Sequence, residues 1–424
     1  MIVNHGIGGR WLYIIVITIM FFHWSCSTSK LGSENMNSRF SYGSDVINPE
    51  YALFHHSPDS STLYFRIPED ALLFKNNVDH FEAGLKILWS VYPSYRSSVV
   101  VDSGSVEFSV RQSADIKPLN ASFRLPMKRE KGYVLRLEFV DLYRSVSAIR
   151  YLPLMEKGTI SQQDFLLTDT SGIPLCRNIV RENESVKLVS GFPNEINWQV
   201  RCYFRNFPLA YLPFRVIDDP VFDMAADSFY TWKNDGSSAL KLPRPGIYFF
   251  QTDTHSLRGF TLMCFDHEFP FVTKTKQLIE ATRYLTTRKE YEQLKGSADQ
   301  KAAIDKFWVE IGGNYERARG LIRAYYNRVQ EANRLYTSYL EGWKTDRGMV
   351  HLIFGRPQSI YRDQETEQWS YANMPGFPDL MFVFRKMNNP FTDNDYALIR
   401  QPQYENVWYM AVDQWRQGRI VNDN

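Results

Sequence analysis

Hydrophobic and polar residues alternate with a period of two along most of the chain between residues 47 and 273. In a strand, successive side chains point to opposite faces of the sheet, so this alternation predicts strands with one buried face. The apolar positions that share a face in the first four runs are Leu63, Phe65, Ile67, Leu85, Ile87, Trp89, Val91, Val106, Phe108, Val110, Tyr133, Leu135, Leu137 and Phe139. Clusters of Asn, Pro, Gly and Ser separate the runs, as in antiparallel sheets. We therefore predict an immunoglobulin-like or fibronectin-like β-sandwich over residues 47–156.

A second all-β block follows over residues 158–273. The apolar positions that share a face here are Trp198, Val200, Cys202, Phe204, Phe260, Leu262 and Cys264. The turn-forming run Pro243–Gly246 precedes an apolar run at residues 247–250, which predicts a turn that leads into a strand. We predict a second β-sandwich of the same kind.

Beyond residue 275 the apolar positions have the spacing of helices. They recur every three or four residues to about residue 340, which predicts consecutive helices. The last of these helices has a basic outer face, which we interpret as a solvated surface. The arginines of this face are Arg317, Arg319, Arg323 and Arg334.

Short apolar runs follow the last long helix. Those at residues 349–354, 369–371 and 380–384 predict strands of a small antiparallel sheet. The predicted fold class is therefore multidomain and mainly β, then α+β: two β-sandwiches followed by a helical segment and a small antiparallel sheet over residues 275–424.

The first 25 residues have the organisation of an export signal. Residues 11–22 carry no charge and form a run too short to span a bilayer as a helix, with the length of a signal-peptide apolar core. Cys26 stands where this segment ends, so residues 1–25 resemble a bacterial lipoprotein signal with Cys26 as the lipidated residue. The alternatives are an ordinary secretory signal or a short uncleaved anchor. Residues 26–46, rich in Ser, Asn and Gly, predict a flexible tether.

The lipoprotein resemblance also implies a location. Ser27 follows the cysteine, which in that class implies the outer membrane as the destination. Some Bacteroidota lipoproteins carry an acidic cluster that sends them to the cell surface, whereas the first acidic residue here is Glu34. We therefore expect a lipid-anchored protein of the outer membrane that faces the periplasm.

Charge and cysteine content narrow the classes of partner and site. The chain has 49 basic and 47 acidic side chains and a net charge of +2, so no nucleic-acid partner is expected. If Cys26 is acylated, three cysteines remain. We expect Cys176, Cys202 and Cys264 to be free thiols, with a Cys176–Cys202 bridge as the alternative. The residue spacing predicts neither a metal site nor a cofactor fingerprint.

A compact motif joins the last long helix to the predicted sheet. It reads Gly342-Trp343-Lys344-Thr345-Asp346-Arg347-Gly348, with Gly355-Arg356-Pro357 after the next apolar run. We expect Gly342 to adopt a left-handed helix-end conformation and Trp343 to fill a hydrophobic gap. Thr345 and Asp346 have side-chain oxygens suited to binding loop amides.

These residues resemble the GWxTD domain of bacterial exported proteins, in the form seen in Bacteroidota. The resemblance extends over about residues 278–400. Members of this family commonly carry β-domains and a lipoprotein signal ahead of this module. The family brings no known activity, so we expect the motif residues to be structural. They are Gly342, Trp343, Thr345, Asp346, Arg347, Gly348, Gly355, Pro357, Trp369 and Tyr371.

Three functions remain open at this point. The first is a non-enzymatic outer-membrane lipoprotein, a protein-interaction or scaffold module for an unidentified envelope protein, without catalytic residues, metal or cofactor. The second is an envelope hydrolase of peptidoglycan or polysaccharide that uses Asp346 and Glu367 as paired carboxylates. The third is an accessory domain of outer-membrane assembly machinery, because the small sheet resembles such domains. A calcium site at residues 393–395 with Asp413 lacks the glycine that an EF-hand loop requires.

Overall fold

The computed structural model describes residues 38–41, 47–57, 60–112, 117–126, 131–191, 197–217, 222–233, 239–255, 257–363 and 365–422. The predicted signal peptide, Cys26 and most of the predicted tether lie outside these residues. In the described part of the chain, no helix combines the length and the apolarity needed to cross a membrane.

The chain forms strands first and helices later, as the change of hydrophobic period predicts. The strands are β1 Ser38–Ser41, β2 Glu50–Ser57, β3 Ser60–Ile67, β4 Lys75–Asn77, β5 His80–Tyr92, β6 Asp102–Arg111, β7 Leu119–Leu125, β8 Tyr133–Asp141, β9 Val146–Leu154, β10 Phe165–Thr168, β11 Ile179–Arg181, β12 Lys187–Ser190, β13 Asn197–Tyr203, β14 Ser228–Lys233, β15 Gly246–Gln251, β16 Phe260–Phe265, β17 Ser359–Arg362, β18 Thr366–Tyr371, β19 Leu380–Lys386 and β20 Tyr396–Leu398. The α-helices are α1 Thr275–Ala281, α2 Arg288–Gly296, α3 Gln300–Gly312, α4 Tyr315–Leu335, α5 Asp346–Phe354 and α6 Tyr404–Arg416.

The first β block consists of two sheets with a shared core. One sheet has the order β2-β3-β7, and the other has the order β4-β5-β8-β9 with β6 paired to β5. The inward residues of both sheets belong to one apolar cluster, in which the rings of Phe65 and Phe139 lie 5.8 Å apart. Alternation of buried and half-buried positions along β5 and β8 therefore corresponds to the predicted sandwich.

The second β block pairs a larger sheet with a two-stranded one. The larger sheet has the order β11-β16-β15-β13-β14, with β11 parallel to β16 and the other pairs antiparallel. Strands β10 and β12 form the smaller sheet. Phe165 of the smaller sheet contacts Trp198 and Phe260 of the larger one, at ring distances of 4.9 and 4.6 Å. The core of this block lies between the two sheets.

The C-terminal unit is a helical layer on a five-stranded antiparallel sheet of order β1-β17-β18-β19-β20. The predicted strands at residues 369–371 and 380–384 are confirmed, and they pair with each other as parts of β18 and β19. One large apolar cluster joins the helices to this sheet. The predicted fold class, mainly β followed by a helical segment and a small antiparallel sheet, is confirmed.

One predicted strand is wrong. Residues 349–354 belong to helix α5, and every residue from Arg347 to Phe354 is buried. A helix that is buried on all sides carries a continuous apolar run, which hydrophobic periodicity cannot distinguish from a buried strand. The helix before it is also shorter than predicted, since α4 ends at Leu335 and not near residue 340.

Strand β1 lies within the segment predicted to be a tether. Its four residues pair antiparallel with β17, Ser38 opposite Arg362 and Ser41 opposite Ser359. The backbone of this N-terminal segment therefore adds an edge strand to the C-terminal sheet.

The three remaining cysteines are free and buried, as expected. Burial raises the pKa of the Cys176 thiol to about 12 and that of Cys202 to about 11. Burial likewise raises the pKa of the Cys264 thiol to about 12. The alternative Cys176–Cys202 bridge is absent between these described residues.

Candidate functional site

The Gly342–Asp346 motif forms a tight connection between two helices. Gly342–Lys344 make a single 3₁₀ turn, and Thr345 is the N-cap of helix α5. The Thr345 hydroxyl accepts a hydrogen bond from the Gly348 amide at 3.0 Å and donates one to the Gly342 carbonyl at 2.7 Å. Thr345 therefore satisfies an amide of the first helical turn, which has no partner inside the helix. The side-chain oxygen of Thr345 binds a backbone amide, as predicted, but this amide belongs to helix α5 and not to a loop.

Two glycines of the motif allow backbone segments to touch. A Cβ atom on Gly342 would lie 1.8 Å from the Ala332 carbonyl oxygen of helix α4, and a Cβ on Gly348 would lie 1.9 Å from the Gly342 carbonyl oxygen. Gly342 does not have the left-handed conformation expected from the sequence, since its φ angle is not positive. Its role is close approach, because no side chain fits between the turn and the helix.

Trp343 fills the predicted gap in the core. Its side chain is buried in the apolar cluster of the C-terminal unit. Its backbone N–H donates to the Asn333 side-chain oxygen at 3.4 Å, and the Gly342 N–H donates to the Thr337 hydroxyl at 3.0 Å. The turn is thus held against the end of helix α4 by both packing and hydrogen bonds.

Asp346 forms an ion pair inside the protein. One carboxylate oxygen accepts from the Arg400 guanidinium, and the other accepts from the Leu398 backbone N–H at 2.7 Å. The two side chains are only 10% and 7% exposed. Burial raises the pKa of the Asp346 carboxyl, while Arg400 and the Leu398 amide oppose the rise. Asp346 therefore links the start of helix α5 to the end of β20 and to Arg400, just after this strand.

Arg347 lies at the centre of a second buried network. Its guanidinium contacts the Glu367 carboxylate at 3.4 Å and donates to the Asn394 side-chain oxygen at 2.6 Å. Glu367 has no exposed side-chain surface, and it also accepts from the Arg362 Nε at 2.7 Å and from the Trp369 indole at 2.7 Å. Burial alone would raise the pKa of Glu367, but these two arginines and the indole outweigh it and lower the pKa.

The remaining motif residues complete the same core. The Tyr371 hydroxyl donates to the Gly355 carbonyl at 2.9 Å. Gly355 has a φ of 75°, and the Arg328 guanidinium occupies the space that a Cβ on Gly355 would need. Trp369 packs against Tyr336 with a ring distance of 5.1 Å, and Pro357 is buried.

A third polar group connects helices α4 and α5. The His351 ring nitrogen Nε2 lies 3.0 Å from the Glu331 carboxylate, which also pairs with Arg356. Burial lowers the pKa of His351, and the Glu331 carboxylate opposes this shift. Because a carboxylate accepts hydrogen bonds, the Nε2–H of His351 donates to Glu331. Burial alone would raise the pKa of Glu331, but His351 and Arg356 outweigh it and lower the pKa to about 2.

Sequence reasoning missed the partners of the motif. Arg400 and Asn394 follow the motif by about fifty residues, and no local pattern predicts that they reach it. Glu367 did carry a signal, since it shares the buried face of β18 with Trp369 and Tyr371. An acidic residue on an apolar face indicates a buried ion pair.

The described residues contain no group of three or more His, Cys, Asp and Glu side chains arranged to hold a metal ion. Two of the four residues weighed as calcium ligands are used within the fold, because Asn394 binds Arg347 and Asp395 accepts from Asn389 at 2.9 Å. Two large clefts flank the C-terminal unit. One, of about 850 Å³, is lined by residues of both β blocks and of the C-terminal loops. The other, of about 750 Å³, lies beside helix α4.

The close contact at Gly342 generates a stability prediction. Gly342→Ala should lower the free energy of unfolding by about 3 kcal/mol or more, because overpacking costs about 1–3 kcal/mol and here backbone atoms form the obstacle. Gly320→Ala in helix α4 is the control, since a Cβ there meets open space and should stabilise by up to about 1 kcal/mol. Denaturant unfolding followed by circular dichroism measures both. Equal stability of the two variants would show that the turn can move away from the helix.

Comparison with known proteins identifies this C-terminal architecture. No curated protein sequence matches the chain. The family model of the GWxTD domain matches residues 246–417, a range that begins at strand β15 of the second β block and includes the whole motif. The resemblance inferred from the motif residues is confirmed. This chain therefore carries a GWxTD domain.

Proposed function

We propose that this protein is a non-enzymatic lipoprotein, anchored to the outer membrane through Cys26 and facing the periplasm, that acts as a protein-interaction or scaffold module. One observation carries the non-enzymatic part. The polar side chains of the GWxTD motif bind backbone groups and buried side chains elsewhere in the domain, with Asp346 paired to Arg400 and Arg347 paired to Glu367, which Arg362 also holds. A motif arranged in this way maintains a structure.

The hydrolase alternative has weaker support. A glycosidase needs two carboxylates that reach the substrate from opposite sides of the scissile bond. Asp346 does not line either large cleft of the described structure, and Glu367 reaches one of them already bound to two arginines. Their surroundings therefore favour a structural role for both carboxylates.

The second β block offers a surface for a protein partner. Strand β14 is the last strand of its sheet, and no strand in the described ranges pairs with its outer edge. Phe229 on this strand is 77% exposed, and Tyr230 next to it is partly exposed. A sheet edge can bind an extended segment of another protein through backbone hydrogen bonds. Exposed aromatic residues add apolar contact area at such an edge.

Membrane anchoring is tested at Cys26. Cys26→Ala should release the protein from the membrane fraction and abolish its acylation, because lipid chains contribute about 0.8 kcal/mol per buried CH₂ group. Mass spectrometry of the mature N-terminus and fractionation of cells measure the two effects. Cys176→Ala, which removes a buried thiol, is the control and should leave both unchanged. Continued membrane retention of Cys26→Ala would reject the lipid anchor.

The structural role of the motif is tested at Asp346. Asp346→Ala should lower the free energy of unfolding by about 3–5 kcal/mol, because it leaves the buried Arg400 charge without its partner. Asp346→Leu combined with Arg400→Met should recover part of this loss, since it removes both charges. Asp413→Ala at an exposed position of helix α6 is the control. An unchanged melting curve with lost cellular function would argue for a catalytic role.

Partner binding is tested by crosslinking in cells. A photoreactive amino acid at position 229 should form covalent adducts with an envelope protein, because this exposed side chain lies on edge strand β14, whose outer side pairs with no strand of the described residues. The same amino acid at position 78, in the first β block, is the control, since Val78 is exposed but isolated in a tight turn. Gel analysis and mass spectrometry identify the adducts. Identical adducts from both positions would contradict docking at strand β14.

A further inference from the structure

The cleft beside helix α4 has a strongly basic lining. It lies between the first β block, helix α4 and the C-terminal sheet, and its volume is about 750 Å³. Among the residues that the structure describes, fifteen line this cleft, and they include five arginines and two glutamates, an excess of three positive charges in a chain whose net charge is only +2. The arginines are Arg150, Arg334, Arg347, Arg356 and Arg362. A cleft lined by one sign of charge concentrates ligands of the opposite sign.

The arginines occupy both the rim and the floor of this cleft. The side chains of Arg356 and Arg362 are 53% and 40% exposed, so their guanidinium groups remain accessible at the rim. Arg347 is almost completely buried at the floor, and its Nε–H has no acceptor among the described residues. Arg347 therefore contributes positive charge beneath the cleft, whereas direct contact with a ligand falls to the more exposed arginines.

Helix α4 adds two neutral amide side chains, next to Arg334, to the lining of this cleft. Asn327, Gln330 and Arg334 lie three and four residues apart, which places them on one face of the helix, and all three line the cleft. Side-chain amides both donate and accept hydrogen bonds, so they match ligand hydroxyl groups. Tyr51 and Tyr336 also line the cleft and supply aromatic surface. This combination suits a ligand with many hydroxyl groups and an anionic group.

We propose that this cleft binds an anionic saccharide, with the arginines contacting its carboxylate or phosphate and the amides contacting its hydroxyl groups. Guanidinium groups recognise both oxyanions through paired hydrogen bonds. The cleft volume lies within the range of pockets for small ligands, about 300–1,000 Å³. The site depends on neither the lipid anchor nor a protein partner, so it stands or falls separately from the proposed function.

Calorimetric titration of the full chain with three probes tests the ligand class. Trigalacturonate carries carboxylates, glucose 1-phosphate carries a phosphate, and maltotriose is the neutral control. Binding of trigalacturonate alone identifies the carboxylate as the recognised group, and binding of glucose 1-phosphate alone identifies the phosphate. Binding of both supports recognition of oxyanions in general, and each affinity should weaken with added salt. Maltotriose binding as tight as that of the acidic probes, or no binding of any probe, overturns the proposal.

Variants on helix α4 test the location. Arg334→Gln should weaken the binding of the acidic probe about tenfold or more, because a charge-assisted hydrogen bond is lost. Arg334 is exposed, so melting curves should confirm that this variant folds normally. Arg323→Gln on the same helix is the matched control, since Arg323 is exposed but does not line the cleft. Equal effects of the two variants, or none from Arg334→Gln, would overturn the assignment to this cleft.

Discussion

The arrangement of the GWxTD motif depends on direct contact between two backbone segments. The turn at Gly342 approaches the end of helix α4 so closely that no side chain fits between them. This contact fixes where helix α5 begins, and the Thr345 cap fixes its direction. Asp346 and Arg347 in the first turn then face Arg400 and Glu367, so both ion pairs follow from the position of a single glycine.

The buried charges make this arrangement specific more than they make it stable. Desolvation offsets much of the attraction within a buried ion pair, so apolar replacements of both partners often cost little. Removal of one partner leaves an uncompensated charge, however, and excludes packings in which the pair is broken. In this domain, Asp346 selects the end of β20 and the residues just after it, and Arg347 selects β18 and the loop before β20. The polar residues of the motif therefore determine which elements assemble around helix α5.

The sequence predicted the parts of the fold that rest on periodicity. Alternation in β5 and β8 indicated a sandwich because each strand has one buried face. Helix α5 was mistaken for a strand because it is buried on all sides and shows no period. Thr345 was interpreted correctly because its contacts are local, whereas the partner of Asp346 lies more than fifty residues away. The predicted conformation of Gly342 is wrong, because the constraint on this residue comes from the backbone of helix α4 and not from the turn itself.

The pairing of β1 with β17 has a consequence for how the protein stands on a membrane. Ser38 begins a strand of the C-terminal sheet, and it follows Cys26 by only twelve residues. A fully extended chain covers at most about 3.6 Å per residue, so a lipid on Cys26 would hold this sheet within about 45 Å of the bilayer surface. The domain that comes last in the chain would then be among the nearest to the membrane.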